Sequence, residues 1–202
     1  MIEIKHLYKK YGNKQIFSDL NITISDGEFV ILIGESGCGK TTLLNIIGAL
    51  ESPERGEILV NGIDITKRKN QKKYFENTVG FLFQNFALIE NKSVRKNLEL
   101  VPPKNRTEIT IAKALELVGL ENNENDMVYT LSGGEQQRLA LARLMIKKCD
   151  IILADEPTGS LDTKNTQIVL NILRELNRHG KTILLVTHDE RIKNLGERVI
   201  KL

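Results

Sequence analysis

The fold is decided by the stretch Gly34-Glu35-Ser36-Gly37-Cys38-Gly39-Lys40-Thr41, which has the pattern G-x-x-x-x-G-K-T. The apolar run 29–33 leads into it like a buried strand, and residues 42–50 lead out of it like an amphipathic helix. In that setting the glycines allow successive backbone N–H groups to point at phosphate oxygens. Lys40 can reach the β- and γ-phosphates, and the Thr41 hydroxyl can ligate Mg²⁺. A glycine-rich turn without a ligand is the alternative, but the full pattern in this context predicts that a nucleoside triphosphate binds here.

Length and composition narrow the class of protein. The 202 residues carry a net charge of only +3, and aromatic residues make up 5% with no Trp, so nothing calls for a nucleic-acid partner. Two cysteines are too few for a disulfide framework, which favours a reducing compartment. The N-terminus lacks a signal-peptide core, and the apolar runs are far shorter than the roughly twenty residues that span a bilayer. We therefore expect a protein of the reducing cytosol that is soluble by itself and that could sit on a membrane only through another protein, with no regulatory domain after the last predicted strand, residues 198–202.

The rest of the chain alternates between short apolar runs and helical patterns. Runs at 2–7, 20–24 and 57–60 predict an antiparallel edge subdomain, with 57–60 as an edge strand or hairpin element. Continuous apolar runs predict buried parallel strands at 29–33, 79–83, 151–154 and 183–186.

Residues 93–148 show helical periodicity and no strong strand, which indicates an inserted helical subdomain. We therefore predict an α/β fold with a mostly parallel sheet, in one domain over residues 1–202. Its core is expected at about 1–84 and 150–202, and its helical subdomain at about 85–149.

Two acids follow one of the predicted buried strands. The run Ile151-Ile152-Leu153-Ala154 ends in Asp155-Glu156, the pattern of a Walker B strand. Asp155 at the strand end can hold Mg²⁺ through its water shell. Because side chains alternate along a strand, Glu156 points elsewhere, and we expect it to orient or deprotonate the attacking water. Adjacent acids in a surface turn are the alternative, which the phosphate loop in the same chain makes less favourable.

A second glycine-rich helix start lies at Leu131-Ser132-Gly133-Gly134-Glu135. Ser132 and Glu135 have the spacing of a capping box. A cap alone does not explain two glycines in the first turn, where they cost helix stability. Bare N–H groups at a helix N-terminus make an anion site. Since the phosphate loop already serves one nucleotide, this second site is best explained by the nucleotide of another copy of the chain.

At this point the sequence resembles the ATP-binding-cassette (ABC) ATPases, whose signature is similar to residues 131–135. The resemblance covers essentially the whole chain with the motifs in the same order. It implies two cassettes paired head to tail, each signature covering the nucleotide on the partner's phosphate loop. Tyr11 resembles the aromatic residue that stacks on adenine, and Gln84 resembles the glutamine that senses the nucleotide and Mg²⁺. Ser160-Leu161-Asp162 resembles the loop that contacts the partner cassette, and His188 the histidine that contacts the γ-phosphate.

With the motifs above, the resemblance implies ATP and Mg²⁺ as the ligands of a single site. The catalytic residues are then expected to be Glu156, His188, Lys40 and Gln84. The expected nucleotide contacts are Tyr11, Gly34, Glu35, Ser36, Gly37, Cys38, Gly39, Lys40, Thr41, Thr42, Leu131, Ser132, Gly133, Gly134, Glu135 and Asp162. The expected Mg²⁺ ligands are Thr41, Gln84 and Asp155. Glu135 stands where many members of the family have Gln.

Three longer segments, 39–48, 80–89 and 157–162, resemble the branch that contains macrolide exporters, lipoprotein-release systems and antimicrobial-peptide exporters. This resemblance implies an ATPase subunit of an exporter of a peptide, antimicrobial or lipophilic compound. It also implies a second copy as dimer partner and a separately encoded permease that holds the chain on the inner face of the cell membrane. The same motifs also fit a regulatory or mechanotransmitting scaffold that moves no substrate. Cassettes for DNA repair or translation fit less well, because a long coiled-coil insertion and a second cassette are missing.

Two segments keep two interpretations each. Residues 67–73 hold five basic side chains, which suit a solvated helix start or loop, or a contact with lipid headgroups or an acidic partner. In residues 85–89, the apolar side chains of Phe86, Leu88 and Ile89 suit either a groove for a short permease helix or ordinary packing between subdomains.

Overall fold

Nine strands and six helices are assigned in the structure, a computed structural model that describes residues 1–159, 161–189, 192 and 196–202. In chain order the strands are β1 (Ile2–Tyr11), β2 (Lys14–Ile24), β3 (Phe29–Ile33), β4 (Arg55–Val60), β5 (Ile63–Asp64), β6 (Val79–Leu82), β7 (Ile151–Asp155), β8 (Thr182–Val186) and β9 (Arg198–Lys201). The helices are α1 (Lys40–Ile47), α2 (Arg68–Asn77), α3 (Val94–Glu99), α4 (Ile111–Leu117), α5 (Gly133–Ile146) and α6 (Thr163–Arg178).

The strands form two sheets of opposite character. One sheet has the order β2-β1-β4-β5, and its described pairings are antiparallel. The other has the order β6-β7-β8-β3-β9, and its described pairings are all parallel. This confirms the predicted α/β fold with an antiparallel portion. The strand predicted at 57–60 is a hairpin element, as expected, but it is not an edge strand, because β4 lies between β1 and β5.

The parallel sheet separates two apolar cores, which explains why its strands read as continuous apolar runs. In β3, Phe29 and Ile31 belong to the core shared with α3 to α6, whereas Val30 and Leu32 belong to the core shared with α1 and the antiparallel sheet. Alternate residues thus face opposite cores, and both faces need apolar side chains.

The segment predicted to be helical, residues 93–148, contains α3, α4 and α5 and no strand of either sheet. α5 is buried nearly all round, and Leu139, Leu141 and Leu144 pack into the same core as the parallel sheet. The segment therefore packs against the sheet rather than standing apart from it.

The parallel direction brings four chain segments to one edge of the sheet. β3, β6, β7 and β8 all run the same way, so the residues that follow them emerge side by side. These residues include the phosphate loop, Gln84, Glu156 and His188. Ligands of open parallel sheets bind beyond the carboxyl ends of the strands, so this edge is where a site is expected.

Candidate active site

The phosphate loop is a tight turn between β3 and α1. Gly39, just before α1, has a φ of 106°, and a Cβ there would lie 2.4 Å from Ile16 Cγ2, so only glycine fits. The Lys40 ammonium donates to the carbonyl oxygens of Gly34 at 2.8 Å and Glu35 at 2.9 Å. The loop thus curls around the Lys40 ammonium, and it lines a cavity of about 390 Å³ together with Tyr11 and Glu156.

Thr41 and Asp155 meet across the sheet edge, although 114 residues separate them in sequence. The Thr41 hydroxyl donates to Asp155 Oδ1 at 3.2 Å. Burial raises the pKa of Asp155, and the hydrogen bond from Thr41 and the charge of Lys40 oppose that rise. A half-buried carboxylate whose ionised form is disfavoured by its surroundings is well suited to bind a cation.

Glu156 follows β7 in an unusual backbone conformation. Its φ is 46°, in the left-handed region that side chains with a Cβ rarely adopt. Its N–H donates to the Val186 carbonyl at 3.0 Å, and its Oε1 lies 2.9 Å from His188 Nδ1. Oε2 is buried, and no partner for it is found in the described part of the chain. Glu156 lines the phosphate-loop cavity and also a cavity of about 320 Å³ that His188 lines.

Tyr11 and Gln84 line different cavities beside the loop. Tyr11, at the end of β1, is 47% exposed, donates through its hydroxyl to Glu51, and has Lys9 Nζ 5.0 Å from its ring centroid. Gln84 lines a third cavity, of about 430 Å³, whose walls include Thr41, Asn45 and Asp155. The structure therefore places Tyr11 and Gln84 in cavities that the phosphate loop also lines, which is the arrangement that one nucleotide site would need.

Residues 131–135 are positioned differently. Ser132 and Glu135 form the predicted capping box at the start of α5, and the bonds from Ser132 lower the pKa of Glu135. None of residues 131–135 lines the three cavities around the phosphate loop. Within one chain the signature therefore does not contribute to those cavities.

The loop after Glu156 is joined to the signature helix. Asp162 caps α6 by accepting from the Asn165 N–H at 2.8 Å, and the Asn165 side chain in turn bonds to Arg138 of α5. A Cβ on Gly134 would lie 2.7 Å from Asn165 Nδ2, which explains one of the two signature glycines, whereas Gly133 has open space. Ser160, which resembled part of the partner-contacting loop, lies outside the described residues.

Several residues near the site carry no sequence motif. Asn45 and Lys14 line cavities beside the phosphate loop. Arg143 of α5 donates to the carbonyl oxygens of Ala87 at 2.6 Å and Phe86 at 3.0 Å. Gln137 of α5 donates to the Pro157 carbonyl at 2.7 Å. These contacts join residues that are distant in sequence, so no local sequence pattern predicts them.

The residues at the edge suit a hard divalent cation that keeps part of its water shell. Thr41, Asp155 and Gln84 supply a hydroxyl, a carboxylate and an amide oxygen, all oxygen donors of the kind that Mg²⁺ accepts. Among the described residues no group of three or more His, Cys, Asp or Glu side chains forms a metal cage. A cation here would therefore share its coordination with water or phosphate, which is how Mg²⁺ usually binds.

No helix in the described ranges has both the length and the apolar character that crossing a membrane requires.

Comparisons with known proteins agree with this geometry. The ABC transporter family matches residues 17–159. An uncharacterized ABC transporter ATP-binding protein of Methanocaldococcus jannaschii is 39% identical over 213 residues, covering 100% of this chain and 95% of that protein. The macrolide export ATP-binding/permease protein MacB of Campylobacter jejuni is 40% identical over 209 residues. The match to MacB covers all of this chain but only 33% of MacB, so this chain spans about a third of that relative.

The fold agrees as well. The dimeric structure of a post-hydrolysis state of the ATP-binding cassette MJ0796, bound to ADP and Pi, superposes with a TM-score of 0.89. The two are 37% identical, and the match covers 100% of this chain and 94% of that one. With the phosphate loop, the acidic pair and the signature helix in place, the chain belongs to the ABC transporter family and is one of its ATP-binding ATPase domains.

Proposed function

We propose that this chain drives an exporter of a peptide, antimicrobial or lipophilic compound by binding and hydrolysing ATP as a dimer on a separately encoded permease. One observation carries the catalytic part. Glu156 lies between the phosphate-loop cavity and His188, and its buried Oε2 has no hydrogen-bond partner among the described residues, while Asp155 beside it is bonded to Thr41. The two acids are thus separated into a cation-binding role and a proton-accepting role.

In this proposal the phosphate loop and Lys40 hold the triphosphate, and Tyr11 lies against the base. Thr41, Asp155 and Gln84 would hold Mg²⁺, which would supply charge neutralisation of the phosphates when bound. Glu156 accepts a proton from the attacking water, whose oxygen bonds to the γ-phosphorus as the bond to the leaving oxygen of ADP breaks. His188, paired with Glu156, and Lys40 stabilise the charge that develops on the phosphoryl oxygens.

The second copy supplies the residues that the cavities lack. Residues 131–135 of one chain would cover the γ-phosphate on the phosphate loop of the other, with Asp162 near the same contact. The closed dimer gains these contacts only while the γ-phosphate is present, so differential affinity for ATP over ADP drives closing and opening. The dimeric structure of MJ0796 supports this arrangement.

The domain division and the location are part of the proposal. We place the core at about 1–84 and 150–202 and the helical subdomain at about 85–149. The permease would contact the segment after Gln84, where Phe86 and Leu88 are half-buried against the core and keep part of their surface free. This contact would hold the chain on the inner face of the cell membrane. The similarity to the macrolide export protein MacB supports export as the direction of transport.

The catalytic assignment is tested with Glu156→Gln. ATP hydrolysis should fall by at least about a hundredfold, the order of loss for a missing general base, while ATP binding is kept. The matched control is Glu175→Gln, the same change at an exposed acid of α6, which should hydrolyse ATP like the unaltered chain. Full turnover by Glu156→Gln would remove the role assigned to this carboxylate.

The permease is tested by tagging the chain in its own cell and identifying what co-purifies from gently solubilised membranes. A multispanning membrane protein is expected. Recovery of the chain with soluble partners alone would overturn the transporter part of the proposal and leave the ATPase assignment standing.

A further inference from the structure

A buried amide on the signature helix holds the turn that carries Glu156. Gln137 lies one turn into α5 and is 1% exposed. Its Nε2 donates to the carbonyl of Pro157 at 2.7 Å, and Pro157 is the residue directly after Glu156. The bond therefore links the helix that begins at the signature with the backbone next to the proposed general base.

The backbone at Glu156 needs such support. Its φ of 46° is unfavourable for a residue with a Cβ and persists only where neighbouring contacts fix it. On one side its N–H is bonded to Val186, and its own carbonyl accepts from the Gly159 N–H at 3.2 Å. Pro157 has no N–H to donate, so its carbonyl is its only backbone group that can form a hydrogen bond. Gln137 bonds to that carbonyl from outside the turn.

The chemistry of Gln137 argues against simple core filling. Its Oε1 is buried, and no hydrogen-bond partner is found for it in the described ranges. A half-satisfied amide in a core is less favourable than an apolar side chain of the same length. The donated bond is therefore the feature that this amide adds over an apolar side chain.

The bond also links the signature at the start of α5 with the turn that carries Glu156. Residues 133–135 and Gln137 belong to one continuous helix, so a displacement of the signature moves Gln137 with it. We propose that Gln137 is a positioning residue, which holds Glu156 in its reactive orientation and couples that orientation to contact between the signature and the partner's nucleotide. This inference rests on the proposed function, in which Glu156 is the general base.

The first test replaces Gln137 by Met, which keeps the length of the side chain and removes the donor. We expect kcat to fall about tenfold or more, as small misplacements of catalytic groups do, while ATP affinity and KM stay within about twofold. Gln137→Glu, also without a donor when ionised, should lose at least as much kcat. The matched control is Asn105→Leu, since Asn105 is another buried amide that donates to a backbone carbonyl, that of Glu76 at 2.9 Å. Thermal melting of all variants checks that they fold.

The second test is a double-mutant cycle. If Gln137 acts through Glu156, adding Gln137→Met to Glu156→Gln should lower the residual single-turnover rate by less than about twofold. Equal losses in both backgrounds, or a kcat that Gln137→Met leaves unchanged, would overturn the inference. If instead Glu156→Gln itself keeps full activity, the proposed function fails, and the two failures are distinguished.

Discussion

Lys40 is bonded to its own loop, and this determines what its removal should do. The ammonium donates to two carbonyl oxygens, those of Gly34 and Glu35. Phosphate oxygens compete for the same donor and offer full negative charge, so charge-assisted bonds replace bonds to neutral carbonyls. In the proposed site the side chain therefore contributes to phosphate affinity, and its bonds to Gly34 and Glu35 also support the shape of the loop.

We predict that Lys40→Ala weakens ATP binding by about 1.5–3 kcal/mol, the range for hydrogen bonds to charged groups, and lowers turnover as well. Binding of adenosine, which has no phosphate, should change little. Titration of both ligands against Lys40→Ala and against Lys113→Ala, an exposed lysine of α4, measures the difference. Equal weakening of adenosine and ATP would mean that Lys40 supports the fold of the loop and not the phosphates.

Asp155 offers a prediction about pH. Because burial raises its pKa in the folded state, the stability that this group contributes is fully present below the unfolded pKa and is lost as the pH rises through the folded value. At neutral pH without cations, the ionised carboxylate therefore costs stability. Asp155→Asn cannot ionise, so its Tm in EDTA should exceed that of the unaltered chain at pH 7, and the gap should close as the pH falls toward about 4.

The same variant should lose the Mg²⁺-dependent part of its ATP affinity. Calorimetric melting from pH 4 to 7 and ATP titrations with Mg²⁺ or EDTA measure both effects. A Tm below that of the unaltered chain at every pH would show that the Thr41–Asp155 bond outweighs the cost of burial, contrary to the prediction.

Single residues divide into those that sequence can identify and those that it cannot. The phosphate loop, Asp155 and Glu156 stand in contiguous patterns, so their place at the sheet edge was predictable. Gln137 and Arg143 act on carbonyl groups 20 and 56 or 57 residues away in sequence, and only the folded chain brings them together. The positive φ of Glu156 had no local signal either, since glycine would be the expected residue there.

At the scale of elements, α5 connects otherwise separate parts of the site. Its N-terminus carries the signature, its second turn holds Pro157, and Arg143 in its last turn holds the segment after Gln84. That segment contains two consecutive residues in the left-handed region, Phe86 with φ 62° and Ala87 with φ 48°. The guanidinium bonds to the carbonyls of these two residues, which fixes an unfavourable backbone conformation.

We predict that Arg143→Met destabilises the fold by about 2 kcal/mol, because two hydrogen bonds from a charged group are lost, one of them, to the Phe86 carbonyl, partly buried. Amide hydrogen exchange should accelerate in residues 84–89 more than in the parallel sheet. Arg178→Met, at an exposed arginine of α6 paired with Glu175, is the matched control and should change neither quantity much. Unchanged exchange at 84–89 in Arg143→Met would contradict the proposed support.

Element boundaries show what hydrophobic patterns can and cannot predict. In α6 the buried residues Val169, Leu170 and Leu173 recur at helical spacing, so this helix is one that an apolar pattern alone can predict. The run 57–60 is an inner strand because β5 pairs with it. The sequence did not predict this, since the two-residue β5 is too short to leave a hydrophobic pattern. The basic segment 67–73 forms an uncapped helix start with exposed charges, and only Tyr74 of α2 is buried. Burial is therefore predictable from pattern, whereas strand neighbours depend on pairing across the chain.

At the scale of the whole molecule, the site is divided between two surfaces of one chain. The phosphate loop, Glu156 and His188 line neighbouring cavities, and residues 131–135 line none of these. Gly133 has open space where a side chain would be, which suits a close approach by a ligand from outside the chain. This division supports the proposed head-to-tail pairing, in which the signature of a second copy completes the site.

The site shared between two copies is tested most directly by measuring the molar mass of Glu156→Gln in solution by light scattering, with Mg²⁺ and either ATP or ADP. We predict a mass twice the 22.8 kDa of one chain with ATP and the mass of one chain with ADP, because only the γ-phosphate engages the partner's signature. A chain that binds ATP and yet keeps the mass of a single copy would contradict the shared site, and with it the central claim that hydrolysis takes place between two cassettes.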